Sequence, residues 1–513
     1  MKLSNRTLVV SIVIVSGTAA LAAAPYGDYG HAGHHVDDMS RTLALSPAVA
    51  VADPYLPALA DAKNLLNTMS RHREWVEVET ASGTVFAFVV YPDRSDPGPV
   101  VLVTERSLGA TEWARAAADQ VAAAGFIAIV PDVLTGLGPH GGATDDFAST
   151  EDIEHAMTRL GAKVATERRE AVRRFGLAMP IANGESAVLE LDNGDGASRA
   201  VVKRKSGAEV ESSFALTPES WRAALSFVTR ETHDKPLFVA DGGHAHHAVM
   251  AQVTAPSVSY SRKNPDLPAG FYTAEAALAE STLRKEWITL DVGGVKVSTW
   301  IVYPEGEAKA GTVVVMQHGV GMDAWVQGIA DQLARSGFIA IAPDVWSGTS
   351  PDGGGLRSFK YLDDALLAAR KVSQDEIMRR YAAARDYALA LPRSNGKSAS
   401  LGFCMGGGHS FRFAGDVPEL NAAVVFYGVS PDEATMAKIK APVLGLYGEN
   451  DARVVATVAP AVAAMSRLGK SYEPHIYPKA THSFVLFQEV AGNPEAMRDG
   501  WPRAIAFLKH NLD

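Results

Sequence analysis

The residue types able to do covalent chemistry in this chain converge on its single cysteine, Cys404. It stands in Ser398-Ala399-Ser400-Leu401-Gly402-Phe403-Cys404-Met405-Gly406-Gly407-Gly408, a β-rich run that passes through a glycine-flanked thiol into a helical pattern. Gly402 and Gly406 lie two residues to either side of the sulfur. That is the spacing of a nucleophile elbow, a strand-to-helix turn so tight that only small residues fit beside the nucleophile. The turn lifts the side chain above the sheet and aims the first helical N–H groups at whatever binds there. Glycine-rich strand-to-helix turns also serve nucleotides, but no G-x-G-x-x-G run or phosphate-gripping Lys accompanies this one. A lone cysteine is ordinarily a buried, inert thiol; its setting is what sets this one apart.

Two further groups follow in the order such a site requires, nucleophile, acid, then histidine. The apolar run 442–447 ends in Gly448-Glu449-Asn450-Asp451, and the run 472–477 is followed by Pro478-Lys479-Ala480-Thr481-His482-Ser483-Phe484. A carboxylate just past a buried strand lies on the edge where α/β active sites are built. His482 is then the general base toward the thiol, and Asp451 fixes its tautomer and orientation. Either residue alone would read as an ordinary surface group; their order and their places at strand ends favour the catalytic reading. After the run 312–316 comes Gln317-His318-Gly319-Val320-Gly321, an H-G-x-G turn. The oxyanion donors are assigned to the N–H groups of Met405 and Gly319, with Val320 the nearest rival. His318, heading the turn, reads as a residue that shapes the loop.

The elements that must position these groups come from an internal repeat. A shift of 212 residues lays Trp113, Ala118-Asp119-Gln120 and Gly125-Phe126-Ile127-Ala128-Ile129 on Trp325, Ala330-Asp331-Gln332 and Gly337-Phe338-Ile339-Ala340-Ile341. Trp75, Tyr91-Pro92 and Pro131-Asp132-Val133 fall on Trp287, Tyr303-Pro304 and Pro343-Asp344-Val345 at the same offset. So many matches without a gap identify a tandem duplication. Each copy has a helical lead-in (56–73 and 273–285), then strands alternating with helices, as in 297–303, 312–316, the helix 324–336 and the strand 338–342. That order predicts an α/β fold, a mostly parallel central sheet with helices on both faces, built twice. The domain plan is a signal peptide at 1–24, a mobile leader at 25–54, a degenerate copy at 55–271 and a catalytic copy at 272–513.

The first copy has lost the pattern that carries chemistry. The shift puts Asp192 where Cys404 stands, in a stretch that reads as a strand and tight hairpin, and Arg106-Ser107 replace His318-Gly319. This copy also stays in register only to about residue 230, so it is truncated where the last catalytic loops belong.

Composition sets the context. The chain has 513 residues, 47% hydrophobic and 21% charged, and a formal charge of −10 with no massed Lys or Arg. It is long enough for two cores and offers no nucleic-acid surface. Lys2 and Arg6, an apolar core and Ala22-Ala23-Ala24 describe a secretory signal, which predicts an exported protein, periplasmic or secreted, with no membrane span once mature. Pro25 moves the cleavage point a residue or more from Ala24. Two histidine patches, His31, His34, His35 with Asp37 and Asp38, and His244, His246, His247, read as solvated loop residues; no metal site is assigned.

Cys404, Asp451 and His482, in the settings G-F-C-M-G-G, Y-G-E-N-D and Y-P-K-A-T-H-S-F, resemble the dienelactone hydrolase family of the α/β-hydrolase superfamily. The resemblance covers residues 286–513 well and 75–183 more weakly. It implies a carboxylic ester hydrolase acting on a small-molecule ester or lactone through a thiol ester, with no metal or organic cofactor. Two positions depart from the family members that take dienelactone. Their Glu that helps poise the thiol is His318 here, and their carboxylate-binding Arg, four residues past the catalytic His, is Leu486. The chemistry then carries over with a neutral ester or lactone as substrate, unless Arg357 or Arg453 restores the lost cation from a loop. The reading from another class is a thiol-based binding or sensing protein; an inert structural pseudoenzyme is the third.

Overall fold

Two β-rich blocks 212 residues apart each close into a sheet of their own. The computed structural model describes residues 12–16, 54–68, 71–192, 197–234, 266–359, 362–488 and 492–513. In the first copy the elements run β1 (Ile12–Ser16), α1 (Ala62–Thr68), β2 (His72–Thr80), β3 (Gly83–Val90), β4 (Gly98–Glu105), α2 (Glu112–Ala123), β5 (Ile127–Asp132), α3 (Thr150–Leu160), α4 (Ala162–Leu177), β6 (Ala182–Leu191), β7 (Ser198–Lys203), β8 (Glu209–Phe214) and α5 (Pro218–Glu231). The strands are ordered β1-β2-β3-β5-β4-β6-β7-β8.

The second copy contains α6 (Ala274–Ala279), β9 (Lys285–Val292), β10 (Val295–Val302), β11 (Ala310–Met316), α7 (Ala324–Arg335), β12 (Ile339–Pro343), α8 (Leu362–Ala369), α9 (Gln374–Leu389), β13 (Ser394–Phe403), α10 (Met405–Asp416), β14 (Ala422–Phe426), α11 (Glu433–Lys438), β15 (Val443–Asn450), α12 (Ala452–Arg467), β16 (Tyr472–Thr481) and α13 (Asn493–Leu512). Its order is β16-β15-β14-β13-β11-β12-β10-β9, with every neighbouring pair from β12 to β16 parallel and β9 and β10 antiparallel. β11 and β14 are buried along their whole length, as strands covered by helices on both faces must be. The expected α/β-hydrolase architecture, built in tandem, is borne out as two mixed sheets; the first is parallel only where β4 pairs with β5 and β6, and only the second is mostly parallel.

The duplication reaches individual hydrogen bonds. Trp113 Nε1 donates to the Pro57 carbonyl at 2.9 Å, and Trp325 Nε1 to the Ala269 carbonyl at 3.1 Å. Arg168 Nη1 caps the carbonyls of Val133 and Thr135, as Arg380 Nη1 caps those of Val345 and Ser347. Each of these pairs is separated by the same offset.

Three local expectations are corrected. Both helical lead-ins are shorter than the sequence suggests: α1 stops at Thr68 and β2 starts at His72, while α6 stops at Ala279 and β9 starts at Lys285. Ladder pairing with β3, Arg73 opposite Val90, overrides the weak helical preference of these charged residues. Nor does the truncated first copy leave its sheet short. Where β14, β15 and β16 extend the second sheet in parallel, β7 and β8 extend the first one antiparallel. The hairpin expected beyond Asp192 is therefore real, and residues 193–196 at its tip lie outside the described set. So do residues 25–53 of the expected leader, both histidine patches and the apolar start apart from Ile12–Ser16, which pairs with β2.

The copies pack against each other along β2 and β3. Arg370 lies over the Phe86 ring at 4.1 Å and the Trp75 ring at 4.8 Å. Ala452 N–H donates to the Arg94 carbonyl at 3.1 Å, and the Arg453 guanidinium lies 5.2 Å from the Tyr91 ring. This contact falls on the edge of the second sheet where Asp451 stands.

Candidate active site

Cys404 is the residue between β13 and α10, with φ 56° and ψ −118°. A left-handed backbone at a non-glycine residue costs about 1–3 kcal/mol and persists only where neighbours over-determine it. Here the Cys404 N–H donates to the Phe426 carbonyl at 3.0 Å, and its own carbonyl accepts from Gly408 at 3.1 Å. A Cβ on Gly402 would stand 1.9 Å from the Gly406 carbonyl oxygen, and one on Gly406 would stand 2.2 Å from that of Met316. The two glycines thus let the elbow close and press it on the end of β11.

That contact sets the start of α10, which begins at Met405, against Met316 and Gln317, the residues that lead into the turn of Gly319 and Val320. The turn is closed by Gly321 N–H donating to the His318 carbonyl at 3.0 Å. His318 is buried, bonded through Nε2 to Asp323 Oδ2 at 3.0 Å, and set against the Trp325 ring. Asp323 in turn caps α7 through the Val326 N–H. His318 is thus a loop-shaping residue, as the sequence suggested.

Asp451 follows the last residue of β15, and His482 follows β16, so parallel pairing of the two strands sets them side by side. His482 Nδ1 lies 2.5 Å from Asp451 Oδ2. Its Nε2 is buried without a nitrogen or oxygen partner and has the Cys404 sulfur as its neighbour. Cys404, Asp451 and His482 are 2%, 5% and 6% exposed, so the whole relay is shut off from bulk water. Burial alone would discharge the imidazole. The negative charges of Asp451 and of the Cys404 thiolate outweigh it and push His482 up to about 10.

The sequence did not reveal that the first copy also reaches this sulfur. His72, the first residue of β2, places Nδ1 3.9 Å from Cys404 Sγ and its ring 4.5 Å from the ring of His482. Behind it, Glu74 accepts a hydrogen bond from the Tyr91 hydroxyl, and Arg453 is held charged by Glu74, Tyr91, Asp451 and Cys404 despite its burial. At the same offset Tyr303 donates to Glu286 at 3.0 Å, so the Tyr–Glu pair belongs to both copies. In the second copy that Glu is exposed; in the first it is buried at the contact between the copies. The shared Tyr and Glu were readable in the repeat, but nothing in it showed which face they would cover. Tyr427, after β14, adds a further aromatic wall 5.1 Å from the His482 ring.

Leu486 is buried, so the lost family cation is replaced there by packing. Arg453 is a cation beside the site, already faced by the buried Glu74 carboxylate; the side chain of Arg357 lies outside the described residues. In the first copy Asp192 pairs with Arg106 at 2.8 Å, so the residues standing for the nucleophile and for the head of the oxyanion turn bind each other.

His72, Cys404 and His482 are a soft ligand set, with ligand atoms within 4.8 Å of one another. Zinc–sulfur and zinc–nitrogen bonds of about 2.3 and about 2.1 Å would require a tighter cluster. No metal is assigned.

The model of the dienelactone hydrolase family matches residues 85–185 and 297–512, a segment in each copy. A Saccharolobus solfataricus protein named "Putative carboxymethylenebutenolidase" is 29% identical over 252 residues, 43% of this chain and 97% of its own length. A Bradyrhizobium protein named "Probable 2-oxo-3-(5-oxofuran-2-ylidene)propanoate lactonase" is 27% identical over 256 residues, 46% of this chain and 98% of its own. Among solved structures, a dienelactone hydrolase candidate from Klebsiella pneumoniae has 24% identity and a TM-score of 0.39, spanning 45% of this chain and 99% of that one. These relatives are matched nearly end to end by less than half of the present chain.

Proposed function

The chain belongs to the dienelactone hydrolase family, and from that premise we propose that its second copy hydrolyses neutral carboxylic esters or lactones through a thiol ester on Cys404. Family membership supports hydrolysis of ester or lactone substrates. What carries the finer reading is the 2.5 Å bond between His482 and Asp451 beside the strained elbow of Cys404.

The thiolate attacks the carbonyl carbon, forming a C–S bond and an oxyanion. The N–H groups of Met405 and Gly319 are assigned as the donors to that charge. Collapse breaks the C–O bond, and the His482 imidazolium gives its proton to the departing alkoxide. Now neutral, His482 takes a proton from water, whose oxygen attacks the thiol ester. The C–S bond breaks, leaving the carboxylic acid and restoring the thiolate–imidazolium pair. Asp451 keeps the imidazole in the one orientation that serves both transfers. A sensing role fits less well, since redox-sensing thiols are exposed and need no His–Asp pair, whereas Cys404 is buried.

The test is turnover of 4-nitrophenyl acetate and a panel of neutral lactones by the full chain and by Cys404→Ala. Loss of nearly all turnover, with an acyl adduct on Cys404 caught by mass spectrometry in wild type, is the expected result. Undiminished turnover in Cys404→Ala would remove the reading.

A further inference from the structure

We propose that His72, carried by the first copy, is a catalytic residue of the second copy's site, where its Nδ1–H hydrogen-bonds the Cys404 sulfur and holds it as thiolate. The inference deepens the hydrolase reading and rests on it.

Geometry comes first. His72 Nδ1 is 3.9 Å from Sγ, a long contact but within the reach of sulfur, and catalytic hydrogen bonds commonly tighten only in the Michaelis or transition-state complex. The ring is not free to choose another partner. Its backbone carbonyl accepts from the Tyr91 N–H at 2.9 Å, and its ring is wedged between those of Tyr91 at 5.3 Å and His482 at 4.5 Å. Nε2 is buried with no hydrogen-bond partner. A proton on Nε2 would bury a donor without an acceptor, whereas a proton on Nδ1 meets the sulfur, so the Nδ1–H tautomer is the cheaper one.

Charge agrees with the geometry. Burial, Arg453, His482 and Arg73 all disfavour a proton beyond the first, so His72 stays neutral and donates without titrating. The other titratable groups facing this cluster are Glu74, Tyr91, Asp93, Asp451 and Tyr427. The thiolate therefore has two imidazole neighbours of different kinds: His482, which moves protons, and His72, which only donates a hydrogen bond. The duplication shows how this came about. The position equivalent to His72 is Arg284, which sits in solvent over Tyr303 at 4.5 Å. Only in the first copy has that position become a histidine buried against the other copy's nucleophile.

The experiment compares full-length wild type with His72→Asn, which keeps a neutral donor near the Nδ1 position, and His72→Phe, which fills the space without one. Cys404 alkylation by iodoacetamide is followed by mass spectrometry from pH 4 to 10, alongside kcat and KM for 4-nitrophenyl acetate. Loss of a hydrogen bond to a charged group should move the alkylation midpoint of the Phe variant up by about 1–2 pH units and lower kcat by at least tenfold, with KM little changed. The Asn variant should recover most of both. A Phe variant with the wild-type midpoint and kcat overturns the proposal, as does an Asn variant no better than Phe, which would mark His72 as packing alone. The alkylation readout needs no substrate. If wild type cleaves no ester, the hydrolase reading falls while the midpoints still decide on His72.

Discussion

His482 carries its proton well above neutral pH because two negative neighbours, Asp451 and the Cys404 thiolate, outweigh the cost of burying it. The sign of the consequence follows. A group whose pKa rises on folding, from about 6.5 to about 10, contributes stability that is complete below the lower value and is lost as pH climbs through the upper one. The Tm advantage of wild type over His482→Gln should therefore be largest below pH 6.5 and shrink toward pH 10, as read by scanning calorimetry. An advantage that grows with pH would contradict the ion-pair assignment. In the rate, His482→Ala should cost on the order of 10²–10⁴-fold in kcat, the usual contribution of a general acid–base group.

At the scale of elements, the site is a junction of strand ends held by close approach. Gly406 lets α10 settle on Met316 and Gln317, at the end of β11 where the turn of Gly319 begins. A methyl group on Gly406 would meet backbone oxygens of Met316 and Gln317 at 2.2 and 2.5 Å, atoms that cannot swing away. Gly406→Ala should therefore lower Tm by several degrees and kcat by more than tenfold. The hairpin that replaces the first copy's elbow behaves differently. Asp192 is tied to Arg106 at the sheet end. Asp192→Ala in the full chain should leave kcat within about twofold of wild type; a larger loss would show that the first copy has chemistry of its own.

For the whole molecule, the docking of one copy on the other decides what the site can accept. The Arg453 charge beside the nucleophile is already faced by the buried Glu74, and Leu486 offers no cation. An anionic substrate would enter this closed site without a free counter-charge, and an unpaired buried charge is costly. A neutral methyl ester should have the higher kcat/KM than its free acid of the same skeleton. Kinetics on such a matched pair decide the matter, and a tenfold preference for the acid would show that Arg453 is available to substrate.

The sequence by itself determined the duplication, the α/β architecture of each copy, and the order of Cys404, Asp451 and His482 at strand ends. These are local or periodic properties: a glycine elbow, buried strands that read as apolar runs, and matches at one offset all leave their mark within a few residues. It also pointed to the hairpin at Asp192, since strand and turn composition are local too. Only the tertiary structure decided that β7 and β8 complete the first sheet, that β2 begins at His72, and that His72, Glu74 and Tyr91 face the nucleophile of the other copy. Pairing with β3 and packing between the copies fix those facts, and the packing sets His72 on a sulfur 332 residues away in sequence. A histidine at the start of a strand carries no sign of which sheet edge it will cover.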